Sequence, residues 1–276
     1  MGKCRIALCQ HKVRETVEEN LKAAARSVKK AAETGAGLVV LPEMFVCHFV
    51  PEYMKASEQT LSGEIVKALS RMAAENEVWL VGGSFPEISG DSDAEEKLYN
   101  TCPVFSPSGE LVGVYRKRYL FDVDIPGKVT SCESAVFTQG TESLIIDTGC
   151  LKFGVAVCFD IRFPQIFIDM AKYGADLIVV PAAFSSKTGP DHWELLNRAR
   201  AVDAQIYVAG ADIAFCADAP YINYGHSCVA DPWGTIIACA GEGEEIITAE
   251  IDTDKTEDIR RSLVVLRHQP VRCQEL

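Results

Sequence analysis

A cysteine, a glutamate and a lysine each stand at the end of an apolar run, and those three side-chain types suffice for nucleophilic attack on a carbonyl. Cys158 closes Phe153-Gly154-Val155-Ala156-Val157 and precedes Phe159-Asp160-Ile161-Arg162-Phe163-Pro164. That order reads as an apolar strand, a thiol, then a helix start with proline near its first turn. Such a turn exposes a nucleophile and aims backbone N–H groups at a developing oxyanion, and a helix N-terminus lowers a thiol's pKa. The competing reading is a packing residue, because free cysteines are among the most buried side chains. Glu43 follows Leu38-Val39-Val40-Leu41-Pro42, at the mouth of a buried strand, where burial makes a carboxylate a usable base. A solvated strand-end glutamate is the alternative. Lys117 lies in Tyr115-Arg116-Lys117-Arg118 at the end of a hairpin strand. Three cations in a row ordinarily form a solvated face, yet one lysine turned inward holds an oxyanion in a low-dielectric pocket. Arg162 follows Cys158 by about one helical turn, so both can face one pocket. A guanidinium there suits a carboxylate, or else it pairs on the helix surface with Asp160 or Asp169.

These residues need elements to position them, and an internal repeat supplies the plan. Gly35-Ala36-Gly37-Leu38-Val39-Val40-Leu41-Pro42 matches Gly174-Ala175-Asp176-Leu177-Ile178-Val179-Val180-Pro181, about half a chain later. In both, glycine ends an amphipathic helical stretch (17–33 and 164–173), an apolar run of strand length follows, and proline stops it. The correspondence extends outward. Residues 5–9 and 153–157 are strands before those helices. Helix then strand recurs at 64–75 with 78–82, and at 191–204 with 206–209. Hairpins turn at Ser106-Pro107-Ser108-Gly109 and at Asp231-Pro232-Trp233-Gly234. Each half therefore reads β-α-β-α-β-β. Strands this rich in Val, Ile and Leu suit sheets covered by helices on one face and a second sheet on the other. The expected fold is α/β, a four-layer α-β-β-α sandwich of two similar halves; a doubly wound sheet is the alternative. In the repeat, Glu43 aligns with Ala182, so the scaffold does not demand a charge there.

Bulk properties narrow the classes. The 276 residues fit a single domain, core about 4–252 with a tail at 253–276, at 48% hydrophobic and 24% charged. A net charge of −12 argues against nucleic acid, which needs concentrated Lys and Arg. The acidic run from Asp91 to Glu96 reads as a solvated loop. No apolar run approaches the roughly 20 residues that span a bilayer, and no signal peptide precedes the first strand. Eleven irregularly spaced cysteines suit reduced thiols and a cytoplasmic location. Without a CxxC pair, HExxH, GxGxxG or Walker loop, neither metal nor nucleotide cofactor is expected.

Taken in chain order, Glu43 after its strand, Lys117 in its YRK segment and Cys158 in a C-[FY]-D-x-R-F turn resemble the nitrilase superfamily of carbon–nitrogen hydrolases. The likeness runs from about residue 4 to 270 and is closest to the omega-amidase branch. It is carried further by Leu98-Tyr99-Asn100-Thr101, Leu120-Phe121-Asp122, Ile125-Pro126-Gly127-Lys128, Thr188-Gly189-Pro190-Asp191-His192-Trp193, Arg200-Ala201-Val202-Asp203 and Gly225-His226-Ser227. The resemblance implies Glu43 as base, Lys117 as oxyanion stabiliser, Cys158 as nucleophile and a fourth member at Glu133, with the Phe159 backbone N–H as second oxyanion donor. It implies Arg162 and Phe184 as the seat of a substrate carboxylate. The reaction implied is hydrolysis of a small ω-monoamide, such as a 2-oxo acid carrying a terminal amide, to a dicarboxylate and ammonia through a Cys thioester. An N-carbamoyl or deaminated-glutathione-type amidase, or a nitrilase, shares the same triad. Two readings outside that class stay open: a papain-type Cys-His hydrolase using His192 or His226, and a non-catalytic scaffold. The family usually pairs its subunits, so a homodimer or higher homo-oligomer is expected, with Ser262-Leu263-Val264-Val265-Leu266 as a docking strand. The chain departs from the pattern at Tyr119, often His, at Phe159, often Tyr, and at Val46-Cys47-His48-Phe49-Val50, where small and polar residues are usual.

Overall fold

The computed structural model describes residues 2–89, 97–127 and 129–266. The acidic run from Asp91 to Glu96, Lys128 and the end of the expected tail, from residue 267, lie outside the described residues. The first half runs β1 (Lys3–Gln10), α1 (Val17–Glu33), β2 (Leu38–Val40), α2 (Pro51–Ala56), α3 (Glu64–Asn76), β3 (Trp79–Val81), β4 (Phe85–Ser89), β5 (Lys97–Phe105) and β6 (Leu111–Arg116). A small hairpin follows, β7 (Asp122–Ile125) and β8 (Val129–Cys132). The second half runs β9 (Leu144–Asp147), β10 (Lys152–Val155), α4 (Pro164–Lys172), β11 (Leu177–Ala182), α5 (Gly189–Ala204), β12 (Tyr207–Asp212), β13 (Cys228–Ala230), β14 (Ile236–Cys239), β15 (Glu245–Asp252) and α6 (Thr253–Ser262).

The repeat holds as read. β1, β2 and β3 pair in parallel, as do β10, β11 and β12, and each trio continues into an antiparallel hairpin, β5–β6 or β13–β14. The helices begin where the sequence marks them. Thr16 caps α1 through a reciprocal capping box with Glu19, and Gly35 turns the chain out of it at φ +81°, a conformation only glycine adopts without strain.

The layers are visible in the alternation of side chains. Ile6 and Leu8 of β1 and Leu38 and Val40 of β2 share one core with Phe153, Val155, Leu177 and Val179 of the second sheet. Ala7, Cys9, Val39 and Leu41, one residue out of phase, share another with Ala24 and Val28 of α1 and Ile65 and Leu69 of α3. In the second half, Phe167 and Met170 of α4 and Trp193 and Ala201 of α5 cover the outer face. The architecture is the α-β-β-α sandwich.

One strand crosses between halves. β15 leaves the second half and zips antiparallel along the whole of β1, from Lys3 opposite Asp252 to Gln10 opposite Glu245. It does not stand out as a continuous apolar run because only Ile247, Ala249 and Ile251 are buried while the residues between face outward, the period-2 signature of a one-sided strand. The expected tail also begins as structure: Asp252 caps α6 by accepting from the Asp254 and Lys255 N–H groups, and Arg260 ties the helix to the Ala175 carbonyl. Register predicts an asymmetric response. Ile251→Ala, emptying a fully buried position, is expected to cost about 2–5 kcal/mol in urea unfolding. Glu250→Ala, on the exposed face beside Lys3, should stay within about 0.5 kcal/mol; equal losses would mean that β15 is held in another register.

Candidate active site

β10 ends at Val155, and the chain turns at Cys158 into a 3-10 turn, Cys158–Arg162, that leads into α4. Cys158 takes φ +44°, a left-handed conformation that is uncommon and strained for a residue with a Cβ. A buried carboxylate holds this elbow in place. Asp160 accepts the Val157 N–H at 2.8 Å and the Tyr115 hydroxyl at 2.7 Å on one oxygen, and the Tyr119 N–H at 2.9 Å on the other. Tyr115 and Tyr119 flank Lys117, so Asp160 fastens the cysteine turn to the segment bearing the lysine. Burial raises Asp160 to about 6, against the pull of those three donors and Lys117.

Behind the cysteine lies an ion cluster with no solvent exposure at any of its three charged side chains. Lys117 Nζ donates to Glu43 Oε1 and to Glu133 Oε2, each at 2.8 Å. Asn100 Nδ2 donates to Glu43 Oε1 at 2.8 Å and Glu133 Oε1 at 3.0 Å. The remaining Glu43 oxygen, Oε2, accepts the Ala183 N–H at 2.8 Å, and Glu133 Oε2 also takes the Phe121 N–H at 2.6 Å. Burial opposes the Lys117 charge, but Glu133 and then Glu43 outweigh it and hold the ammonium well above its ordinary range. Burial likewise raises Glu133, with Lys117 pulling the other way.

The Cys158 thiol lies near enough to Glu43 for the carboxylate to act on its proton. Burial first, and the Glu43 charge second, push the thiol well above its ordinary range; Lys117 and the Ala183 N–H offset this only in part. That corrects the sequence expectation of a thiol lowered by a helix N-terminus. A 3-10 turn of five residues carries little dipole, and burial beside a carboxylate dominates it. At rest the sulfur keeps its proton, with a carboxylate placed to receive it.

The sulfur lines a narrow cleft. Phe49, Phe121, Phe159, Phe184 and Tyr221 form its walls, and Ser185, Thr188 and Arg162 supply the polar groups. Arg162 is half-buried, and its guanidinium carbon lies 5.6 Å from the centre of the Phe159 ring and 5.4 Å from that of Phe184. It donates to His192 Nδ1 at 3.3 Å. Neither Asp160 nor Asp169 pairs with it, and among the described residues no carboxylate lies within ion-pair distance. The Phe159 N–H is among those that a helix start leaves without an intrahelical acceptor. Cys158, Arg162, Phe159 and Phe184 thus line one cleft, with Glu43, Lys117 and Glu133 directly beneath.

Other expectations resolve by location. Phe49 is the one member of the Val46–Val50 stretch that lines the cleft, and it lies 5.6 Å from Lys117 Nζ. Cys47 and His48 are buried away from it, His48 edge-on to Tyr53. Tyr119 stacks face to face on Phe163 at 3.6 Å, outside the cleft. Neither His192 nor His226 lines it. In the sequence Asn100 and Thr188 stand within the family-like segments with no role of their own, Asp160 reads as a partner for Arg162, and Tyr221 gives no signal, because it reaches the cleft from a loop without periodicity. Among the described residues no group of three or more His, Cys, Asp or Glu is placed to hold a metal ion, and no helix is long and apolar enough to cross a membrane.

Comparison with known proteins points to a family. A family model described as carbon–nitrogen hydrolase matches residues 5–261. Omega-amidase NIT2 of Mus musculus is 42% identical and that of Xenopus tropicalis 41%, each match covering 98% of this chain and 96% of the relative. Among solved structures, Saccharomyces cerevisiae Nit3, described as a member of branch 10 of the nitrilase superfamily, superimposes with a TM-score of 0.85 at 37% identity, over 95% of this chain and 94% of that one. An amidase from Nesterenkonia, solved as a glutamate-to-glutamine mutant with acrylamide added at its active-site cysteine, gives 0.75 at 25% identity over 95% of this chain and 98% of that one. Fold, sequence and family model converge, and the chain belongs to the carbon–nitrogen hydrolase family.

Proposed function

We propose that the protein is an omega-amidase-like hydrolase that cleaves the terminal amide of a small carboxylate-bearing substrate, such as a 2-oxo acid ω-monoamide, to a dicarboxylate and ammonia. The observation that carries this reading is the buried Glu43–Lys117–Glu133 cluster beside Cys158, beneath a small aromatic cleft whose one guanidinium has no carboxylate partner among the described residues. The omega-amidases matched over nearly their whole length support the choice of substrate.

In the first half-reaction the Cys158 S–H proton passes to Glu43 as the sulfur bonds to the amide carbon. The carbonyl oxygen becomes an oxyanion, met by the third Lys117 N–H, the one not given to Glu43 or Glu133, and by the Phe159 N–H. Collapse breaks the carbon–nitrogen bond. Glu43 returns its proton to the departing nitrogen, which leaves as ammonia, and the acyl group stays on sulfur as a thioester. In the second half-reaction water gives a proton to Glu43 as its oxygen bonds to the thioester carbon. The carbon–sulfur bond breaks, and Cys158 recovers the proton. Glu133 keeps Lys117 charged and in place throughout. Arg162 receives the distant carboxylate bidentately, with Phe184 beneath it.

Self-association, which the sequence led us to expect, would use apolar surface that is open in one chain. Leu263, Val264 and Val265 are each 40–46% exposed just after α6, and Leu195 and Val202 are exposed on α5.

Two measurements test the reading. Ammonia release should be greatest with short ω-monoamides in a panel that also holds ureido acids, deaminated-peptide amides and nitriles. Cys158→Ala and Glu43→Gln should each lose at least about 10³-fold in kcat; retained activity in Glu43→Gln together with loss in a His192 variant would favour a Cys-His hydrolase. Arg162→Gln should raise KM for a carboxylate-bearing amide by roughly tenfold or more, while a neutral amide of the same length changes little. Equal effects on both would remove Arg162 from carboxylate binding.

A further inference from the structure

Asn100 lies on β5, and its backbone carbonyl accepts the Lys117 N–H at 2.9 Å. Its side chain spends both N–H groups on carboxylates, Glu43 Oε1 and Glu133 Oε1. Only this orientation of the amide is tenable, because the flipped one would set Oδ1 against two carboxylate oxygens. The opposite end shows what the arrangement sacrifices: Asn100 Oδ1 is buried without a hydrogen-bond partner. Buried acceptors are rarely left so, and an apolar residue of similar volume would avoid that loss. The amide is therefore oriented by the two carboxylates it serves, at the expense of its own oxygen.

The oxygens of Glu43 divide unequally. Oε1 takes two donors, Lys117 and Asn100, one for each of its lone pairs. Oε2 takes one, the Ala183 N–H, and has one direction left. We propose that Asn100 is a positioning residue: by occupying Oε1 it reserves Oε2 of Glu43 for the Cys158 proton, and by bridging to Glu133 it fixes the base against rotation. A neutral double donor is the side chain this task needs. It ties together two carboxylates that would otherwise repel, without adding a second cation that would take up the base's charge permanently. The inference rests on Glu43 being the base, as set out above.

The charges facing Asn100 are Glu43 from the loop after β2, Lys117 from the end of β6 and Glu133 from the turn after β8, with Cys158 beyond them. Asp212 lies behind the Ala183–Phe184 backbone. Arg116 and Glu87, on the strands beside Asn100, are spent on each other at 2.6 Å.

The test compares Asn100→Leu and Asn100→Asp with the intact enzyme, using Cys158→Ala as the blank. Two profiles against pH are recorded: kcat for ammonia release from an ω-monoamide, and the rate of Cys158 alkylation by iodoacetamide, followed by mass spectrometry. The expected result is a kcat at least about tenfold lower with KM within about twofold. The acidic limb of both profiles should move up by about one pH unit, because an ionised carboxylate loses a donor and so gains its proton more readily. The shift should be larger in Asn100→Asp, which places a third carboxylate against the other two. A folded Leu variant with an unmoved acidic limb overturns the proposal, whether or not kcat has fallen. If that variant does not fold, the isosteric Asp variant decides by the same criterion. Should the intact enzyme release no ammonia from any monoamide, the substrate reading fails by itself, and the alkylation profile still decides the part played by Asn100.

Discussion

A lysine ammonium with no exposed surface stays charged only while carboxylates touch it, and most of this site follows from that requirement. Moving ions of this kind out of water is unfavourable by several kcal/mol each after relaxation, and Lys117 recovers the loss through contacts to Glu43 and Glu133. Removing either carboxylate leaves the ammonium with one partner instead of two, and removing the ammonium leaves two buried carboxylates facing each other. The cluster is therefore rigid by electrostatics as well as by packing. Rigidity of this kind is what a stabiliser of a developing oxyanion needs, since its dipoles must already point the right way when the charge appears. The same burial pushes the Cys158 thiol up, and in the proposed mechanism its proton leaves as the sulfur attacks.

The site lies at the seam between the halves. Glu43 comes from the first half and accepts an N–H from Ala183 of the second; Asp160 comes from the second and accepts from Tyr115 and Tyr119 at the end of the first. The repeat explains how the seam arises: equivalent strands end side by side, so residues just past β2 meet residues just past β11. It also sets Glu43 apart. Glu43 corresponds to Ala182 across the repeat, and the charge is present on one side only. The β15 strand closes the arrangement by returning from the second half to the edge of the first, so that β1 is flanked on both sides.

Much of this is legible in the sequence because it depends on local rules. The helices at 17–33, 64–75, 164–173 and 191–204, the parallel trios and both hairpins follow from apolar periodicity, caps, and Gly or Pro stops. The proximity of Glu43, Lys117 and Cys158 is foreshadowed because each closes a strand-like run in an order that resembles a known family. What stays hidden depends on long-range contact. Asp160 reads as a partner for Arg162 and instead holds the elbow to the lysine segment, a role that emerges only when residues 115–119 fold against it. Tyr221 lies on a loop whose position nothing local fixes. The direction of the Cys158 shift is misread from sequence because the helix start is visible there, while the burial and the carboxylate that surround it are not. β15 is hidden for the opposite reason: its alternating pattern is plain, but it lacks the continuous apolar run that marks the other core strands.

In this mechanism Cys158 Sγ is the atom that carries the acyl group. Mixing the enzyme with an ω-monoamide, quenching in acid within the first turnovers and mapping the digested chain by mass spectrometry would observe this directly. A mass increase equal to the acyl group minus one hydrogen, confined to the peptide containing Cys158 and absent from Cys158→Ala, is the predicted result. Ammonia released at full rate with no acyl group on Cys158 at any quench time, or with the label on another thiol, would contradict it.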